Sequence, residues 1–129
     1  MGPADLTQAV MEGVAFALRD SFEALSATGV DLETILAVGG GARSRFWLET
    51  LATLLDRPLS RPAAGELGAA SGAARLAICA ATGAAPEEVM TPPEIADVIE
   101  PRRAFTEAYT ERYERYRIAY PAVRQVMGT

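Results

Sequence analysis

Apolar side chains recur every three or four residues near the start of the chain: Val10, Val14, Ala17, Leu18, Phe22 and Leu25 fall on one face of a 3.6-residue period. The spacing predicts an amphipathic helix from Asp5 to about Ala27. Asp5 or Thr7 is placed to cap it, Glu12, Arg19, Asp20 and Glu23 to face water, and Gly29 to end it. Thr34 to Val38 is a short β-prone run stopped by three glycines, the pattern of a buried strand. Helical spacing returns from Ser44 to Leu55 through Phe46 or Trp47, Leu48, Leu51, Leu54 and Leu55, with Ser44 as N-cap.

The Asp56-Arg57 turn leads into Pro58-Leu-Ser-Arg61, which reads as an edge-like strand closed by Pro62. A third helix is expected from about Leu67 to Thr82. Gly68, Ser71 and Gly72, with Ala64, Ala69 and Ala73 around them, give it a face of little bulk against which another backbone can pack. Each mid-helix glycine costs about 0.5–1 kcal/mol relative to alanine, so a packing reason is expected. Ala85 to Val89 resembles a helical turn, Pro92 and Pro93 break the chain, and Ile95 to Ile99 reads as a brief strand. The last helix is expected from about Arg103 to Tyr120. Phe105, Tyr109, Tyr113, Tyr116 and Tyr120 form its core seam, and Glu111 and Arg115 pair on its outer side.

This order of elements predicts an α/β fold with a small sheet and long flanking helices. Three short strands leave apolar helix faces and a sheet edge uncovered, so the chain reads as part of a larger domain. Uncovered seams also admit self-pairing, and a homo-oligomer, a dimer, is expected on that ground.

Charge and missing residue types narrow the chemistry. The 129 residues carry a formal net charge of −5, which argues against a grip on nucleic acid or an anionic membrane. The chain has no His, no Lys and no Asn, so every cationic side chain is an Arg. A Ser/His/Asp or Cys/His triad lacks its base, a Schiff-base enzyme its amine, and a Gly-Lys-Ser/Thr phosphate loop its lysine. One cysteine without histidine cannot make an ordinary zinc site or an internal disulfide; Cys79, among alanines and Ile78, reads as a small buried hydrophobe in a reducing cytoplasm. No signal-peptide pattern opens the sequence. The apolar stretch Leu67 to Ala85 carries Arg75 at its centre, where a charge costs about 2.5–3.5 kcal/mol in a bilayer, so a membrane span is not expected.

The segment with chemical character is Ile35-Leu-Ala-Val-Gly-Gly-Gly-Ala-Arg-Ser44, which joins a strand end to a helix start. Successive glycines let neighbouring amides converge on an anion, and the following helix adds its unpaired N–H groups. A tight strand-to-helix turn explains the same glycines without a ligand, and both readings stand at this level. The dinucleotide pattern Gly-x-Gly-x-x-Gly is not met, since Ser44 stands four positions after Gly40.

Three segments taken together resemble consecutive signatures of the FGGY carbohydrate kinases: Glu12 to Asp20, Leu36 to Ser44 with Trp47 following, and Gly65 to Ala74. The Gly-Gly-Gly-Ala-Arg-Ser form with its Trp, and Tyr116-Arg-Ile-Ala-Tyr-Pro121 near the end, are most similar to the xylulokinase branch of that family. The resemblance implies a partial ribonuclease H-like domain of the actin, Hsp70 and sugar-kinase ATPase type. It makes residues 1–129 the later half of the C-terminal, nucleotide-binding domain, with the N-terminal sugar-binding domain absent. It implies ATP, Mg²⁺ and a sugar as the parent enzyme's partners. Gly39, Gly40, Gly41 and Ala42 would lie against the α-phosphate and ribose, and Arg43, Ser44 and Arg45 would border the adenine pocket. Related glycerol kinases carry Asn where this chain has Arg45, which reads here as a surface residue, while Trp47 reads as a core or wall residue. Glu66, Gly68 and Gly72 would support the site from behind. The catalytic Asp of the family precedes the matching segment, so the chain alone is expected not to phosphorylate sugar and to bind ATP weakly or not at all. D-Xylulose is the implied substrate. Another pentulose, polyol or glycerol-like acceptor, a regulatory actin-like domain, and a non-catalytic self-associating helical module stay open as alternatives.

Overall fold

The computed structural model describes residues 2–30, 32–63 and 68–128. Helix α1 (Pro3–Ser26) leads to strand β1 (Ile35–Leu36), a 3-10 turn (Gly40–Arg43), α2 (Arg45–Leu55) and β2 (Leu59–Pro62). Then come α3 (Gly68–Thr82), the short α4 (Pro86–Val89), β3 (Ile95–Ile99), a second 3-10 turn (Arg103–Phe105) and α5 (Thr106–Met127). Among the described residues no helix is long and apolar enough to cross a membrane.

The sheet runs β1-β2-β3. Parallel pairing sets Ile35 opposite Leu59, and antiparallel pairing sets Leu59 opposite Ile99. The expected edge-like second strand is therefore the central one. Pro62 is tolerated in it because β1 pairs no further than Ser60 and the β2–β3 register shifts between Arg61 and Pro62, so the missing N–H falls where pairing is already irregular.

Two small cores join the layers. Ala15, Phe16, Leu54 and Tyr113 are buried where α1, α2 and α5 meet, and Leu48, Ala52, Leu59 and Ile99 are buried between α2 and the sheet. Trp47 and Leu51 touch both, so α2 is the element that ties helices to sheet. Ser44 caps α2 as expected, its Oγ accepting from the Trp47 amide at 3.2 Å.

Helix α1 turns a different face inward from the one its apolar spacing indicates. Its buried residues are Glu12, Ala15 and Phe16, while Val10, Val14, Leu18 and Leu25 are 68, 51, 45 and 53% exposed. The charged side chains expected in water engage α5 instead. Glu12 accepts from Arg112 Nη1 at 2.8 Å. The Tyr113 hydroxyl lies 2.5 Å from Asp20 Oδ1 and 3.1 Å from Glu23 Oε2, and the Arg19 guanidinium sits 4.2 Å from the Tyr113 ring centre. The cause is the partner: the tyrosine seam of α5 is amphipathic, and its hydroxyls and flanking arginines select the polar side of α1. The start of α1 is capped at Gly2, whose amide donates to Asp5 Oδ2 at 2.7 Å, and Gly29 at φ +84° follows its end.

Burial, and then hydrogen bonding to Asp20 and Glu23, raises the Tyr113 hydroxyl above its ordinary 10.0. A raised folded-state value contributes stability that is present below pH 10 and is lost as pH climbs through the folded value. In urea unfolding from about pH 8 to about pH 11, stability is expected to fall more steeply above pH 10 for the parent chain than for Tyr113→Phe. Equal slopes for the two proteins would contradict the assignment.

The seam itself is covered only in its middle. Tyr113 is buried and Tyr109 and Tyr116 are half-buried, but Phe105 and Tyr120 are exposed. Helix α5 also continues through Pro121 to Met127 rather than stopping at Tyr120. Every residue from Arg117 to Gly128 is exposed, so a carbonyl that Pro121 leaves without its N–H partner is open to water. Helix α3 has no buried residue, and Cys79 is half-buried rather than buried.

Candidate functional site

The glycine segment makes a bend followed by a single short turn. Ala37 donates its amide to the Ser60 carbonyl at 2.9 Å, the last rung of the β1–β2 ladder. Gly39 then takes φ +86° and ψ −178°, a conformation that an L side chain rarely adopts, and swings the chain away from the sheet. Gly40 to Arg43 close one 3-10 turn, and Ser44 returns to extended torsions before α2 begins.

Within this turn the amides divide into two groups. Ala42 donates to the Gly39 carbonyl and Ser44 to the Gly41 carbonyl, both at 3.1 Å. The amides of Gly39, Gly40 and Gly41 stand at the open N-terminal end of the turn, where a helical turn has no carbonyl of its own to offer. Ala42 is buried and anchors the turn, whereas Gly40, Gly41, Arg43 and Ser44 are exposed. Trp47 props it from one side: a Cβ built on Gly41 would lie 3.4 Å from its indole Cδ1 and Nε1. The indole is thus a core and wall group. Gly68 of α3 supports the same region, since a Cβ there would come 3.2 Å from Val38 Cβ and Cγ2. Nothing lies within 4 Å of a Cβ built on Gly72, and Glu66 lies outside the described residues.

Charge beside the turn is balanced by ion pairs that link β2, β3, α2 and the loop after β3. Arg61 Nε meets Asp97 Oδ1 at 2.7 Å, Arg45 Nη1 lies 4.0 Å from Asp97 Oδ2, and Arg45 Nε donates to Glu49 Oε1 at 2.9 Å. Arg102 Nη1 lies 3.9 Å from the other Glu49 oxygen. The Arg61 hydrogen bond, helped by the charges of Arg61 and Arg45, holds the Asp97 carboxyl below its usual value of 3.8 against the opposing effect of desolvation. Arg45 is 71% exposed and directed at Glu49 and Asp97, a surface arginine as its sequence context indicates. Periodicity gives no sign of this network, whose members come from α2, β2, β3 and the loop that follows β3.

A cleft of about 430 Å³ opens beside the turn, lined by Leu18, Phe22 and Leu25 of α1, by Ile35 to Val38, and by Gly41 and Trp47 among others. Among the described residues no group of three His, Cys, Asp or Glu is placed to hold a metal ion.

A model described as the C-terminal domain of the FGGY family of carbohydrate kinases matches residues 1–81. The chain belongs to the FGGY family of carbohydrate kinases. This FGGY chain is 42% identical over 80 residues to the xylulose kinase of Escherichia coli K12, covering 62% of the chain and 16% of that protein. Among solved structures it is similar to a xyloylose kinase from Brucella ovis, with 51% identity and a TM-score of 0.81 over 94% of this chain and 26% of that one. The xylulose kinase of Rhodospirillum rubrum superposes with a TM-score of 0.77 at 29% identity, over 96% of this chain and 25% of that one. The FGGY chain therefore spans about a quarter or less of the length of these relatives. Its mixed α/β architecture is that of the actin- and Hsp70-like ATPase fold to which such sugar kinases belong, as the sequence indicates.

Proposed function

We propose that residues 1–129 form the later half of the nucleotide-binding domain of an ATP-dependent sugar kinase whose acceptor is D-xylulose. One observation carries this reading: three glycine amides stand at the open end of a 3-10 turn, immediately past a parallel strand. Similarity to xylulose kinases from several bacteria supports the choice of acceptor.

In this reading the amides of Gly39, Gly40 and Gly41 face the α-phosphate and ribose of ATP. Buried Ala42 and the indole of Trp47 keep the turn in shape, and Arg43 and Ser44 border the base. ATP supplies the phosphoryl group that passes to a sugar hydroxyl, giving ADP and a sugar phosphate while the hydroxyl proton goes to a carboxylate base. Among the described residues no group of three His, Cys, Asp or Glu side chains is placed to hold Mg²⁺, so none of them is assigned to the metal. The chain contributes binding and orientation, and the base and the sugar-binding groups belong to the remainder that its relatives possess. A cytoplasmic enzyme, with ATP and a sugar as its partners, follows from the same reading.

The purified chain is accordingly expected to give no sustained xylulose-dependent ADP production in a coupled assay. Sustained turnover that scales with chain concentration would overturn the division of labour proposed here.

A further inference from the structure

Reading a nucleotide base takes side chains that meet its edge with matched donors and acceptors, and few of them stand near the glycine turn. Asparagine and glutamine present a donor and an acceptor together and so pair with adenine, whereas arginine presents two donors and pairs with guanine. The chain has no Asn, and its two glutamines are placed elsewhere. Gln8 of α1 donates to Glu12 Oε1 at 2.7 Å, and Gln125 lies in the exposed end of α5.

The side chains that flank the base in the proposed site are already engaged. Arg43 has a partner within the chain. Ser44 Oγ caps α2 by accepting from the Trp47 amide at 3.2 Å, which leaves one hydroxyl hydrogen that a ring nitrogen or carbonyl of any base accepts. Arg45, the first residue of α2, has the chemistry of a guanine reader, but its guanidinium is taken: Nε meets Glu49 Oε1 at 2.9 Å and Nη1 lies 4.0 Å from Asp97 Oδ2. The two carboxylates are themselves held from behind, Asp97 by Arg61 at 2.7 Å and Glu49 by Arg102 at 3.9 Å. Backbone amides are what the turn has left to offer, and amides meet phosphate and ribose, which all nucleotides share.

We propose that this part of the nucleotide site reads phosphate and ribose but not the base, because Glu49 and Asp97 withhold Arg45 from it, so that the chain binds purine and pyrimidine nucleoside triphosphates alike. This rests on the reading of the glycine turn as the nucleotide contact and names the substrate class of that same site. A site built to hydrogen-bond one group rejects ligands that lack it by about 10⁴–10⁵-fold, and no described side chain beside the turn is free to supply that rejection.

The test is titration of the full 129-residue chain with millimolar Mg·ATP, Mg·GTP and Mg·CTP, with the amide NMR shifts of Gly39, Gly40 and Gly41 giving a dissociation constant for each. The three constants are expected to agree within about tenfold. In the double variant Glu49→Gln, Asp97→Asn the guanidinium of Arg45 is released, and GTP is expected to gain at least about tenfold on ATP, the step that a bidentate arginine contact to guanine brings. The amides of Leu48 and Ala52, buried between α2 and the sheet, report that the variant keeps its fold. One nucleotide bound more than about tenfold more tightly than another by the parent chain overturns the base-indifferent site and leaves the proposed function standing. A folded double variant with an unchanged GTP to ATP ratio overturns the role given to Glu49 and Asp97. Turn amides that respond to none of the three nucleotides overturn the proposed function, and this inference with it.

Discussion

Replacing Phe16 by alanine is expected to cost about 3–5 kcal/mol of folding free energy. Phe16 is 6% exposed and its ring centre lies 5.9 Å from that of Tyr113 and 5.3 Å from that of Tyr116. Only a small group of side chains backs it, and Ala15, Leu54 and Tyr113 cannot move into the void while Asp20 and Glu12 hold α5 through hydrogen bonds. A domain of ordinary size has about 5–15 kcal/mol in all, so the variant is expected to unfold at markedly lower urea, with α1 and α5 losing their contact first. Val10→Ala, on the same helix but 68% exposed, is expected to change stability by less than about 0.5 kcal/mol. Equal effects of the two substitutions would mean that α1 packs through its apolar stripe after all.

Gly39→Ala is the second large effect, and it separates backbone strain from crowding. Nothing lies within 4 Å of a Cβ at Gly39, so any cost arises from forcing a side chain to φ +86° with ψ −178°. That region is essentially closed to other residues, and about 1–3 kcal/mol is expected. The strain sits at the hinge between β1 and the turn, so relief by a change of torsion would swing the Gly40 and Gly41 amides out of place. Thermal unfolding gives the first cost and nucleotide titration the second. Gly40→Ala, at a glycine without positive φ and with open space around it, is expected to be much milder in stability. A Gly39→Ala chain as stable as its parent would show that the bend is not held as described.

The elements most legible in the sequence are those whose apolar spacing is confirmed by a local signal. Helix α2 carries both its period and the Ser44 cap, β3 is bounded by prolines, and Gly29 follows the end of α1. The glycine segment was likewise visible as a bend between strand and helix, because no other residue type accepts the torsions of Gly39. Its division into open and spent amides was not, since which carbonyl each N–H finds depends on the turn closing as 3-10 at Ala42 and Ser44. The inward face of α1 is hidden from the sequence for a related reason. Periodicity identifies the apolar stripe of a helix but not its neighbour, and here the neighbour within the chain is a tyrosine and arginine seam that prefers Glu12, Asp20 and Glu23. Edge against centre for β2 failed likewise: Pro62 marks a lost hydrogen bond, and only the pairing partners show that the bond was not needed.

The most direct measurement for the glycine turn as a nucleotide contact is amide NMR of the chain during titration with millimolar Mg·ATP. The amides of Gly39, Gly40 and Gly41 are predicted to shift first and furthest, with those of Ala42 and Ser44 moving less and those along Tyr109 to Tyr116 staying in place. Shifts concentrated elsewhere, or none in the turn at saturating nucleotide, would contradict the assignment.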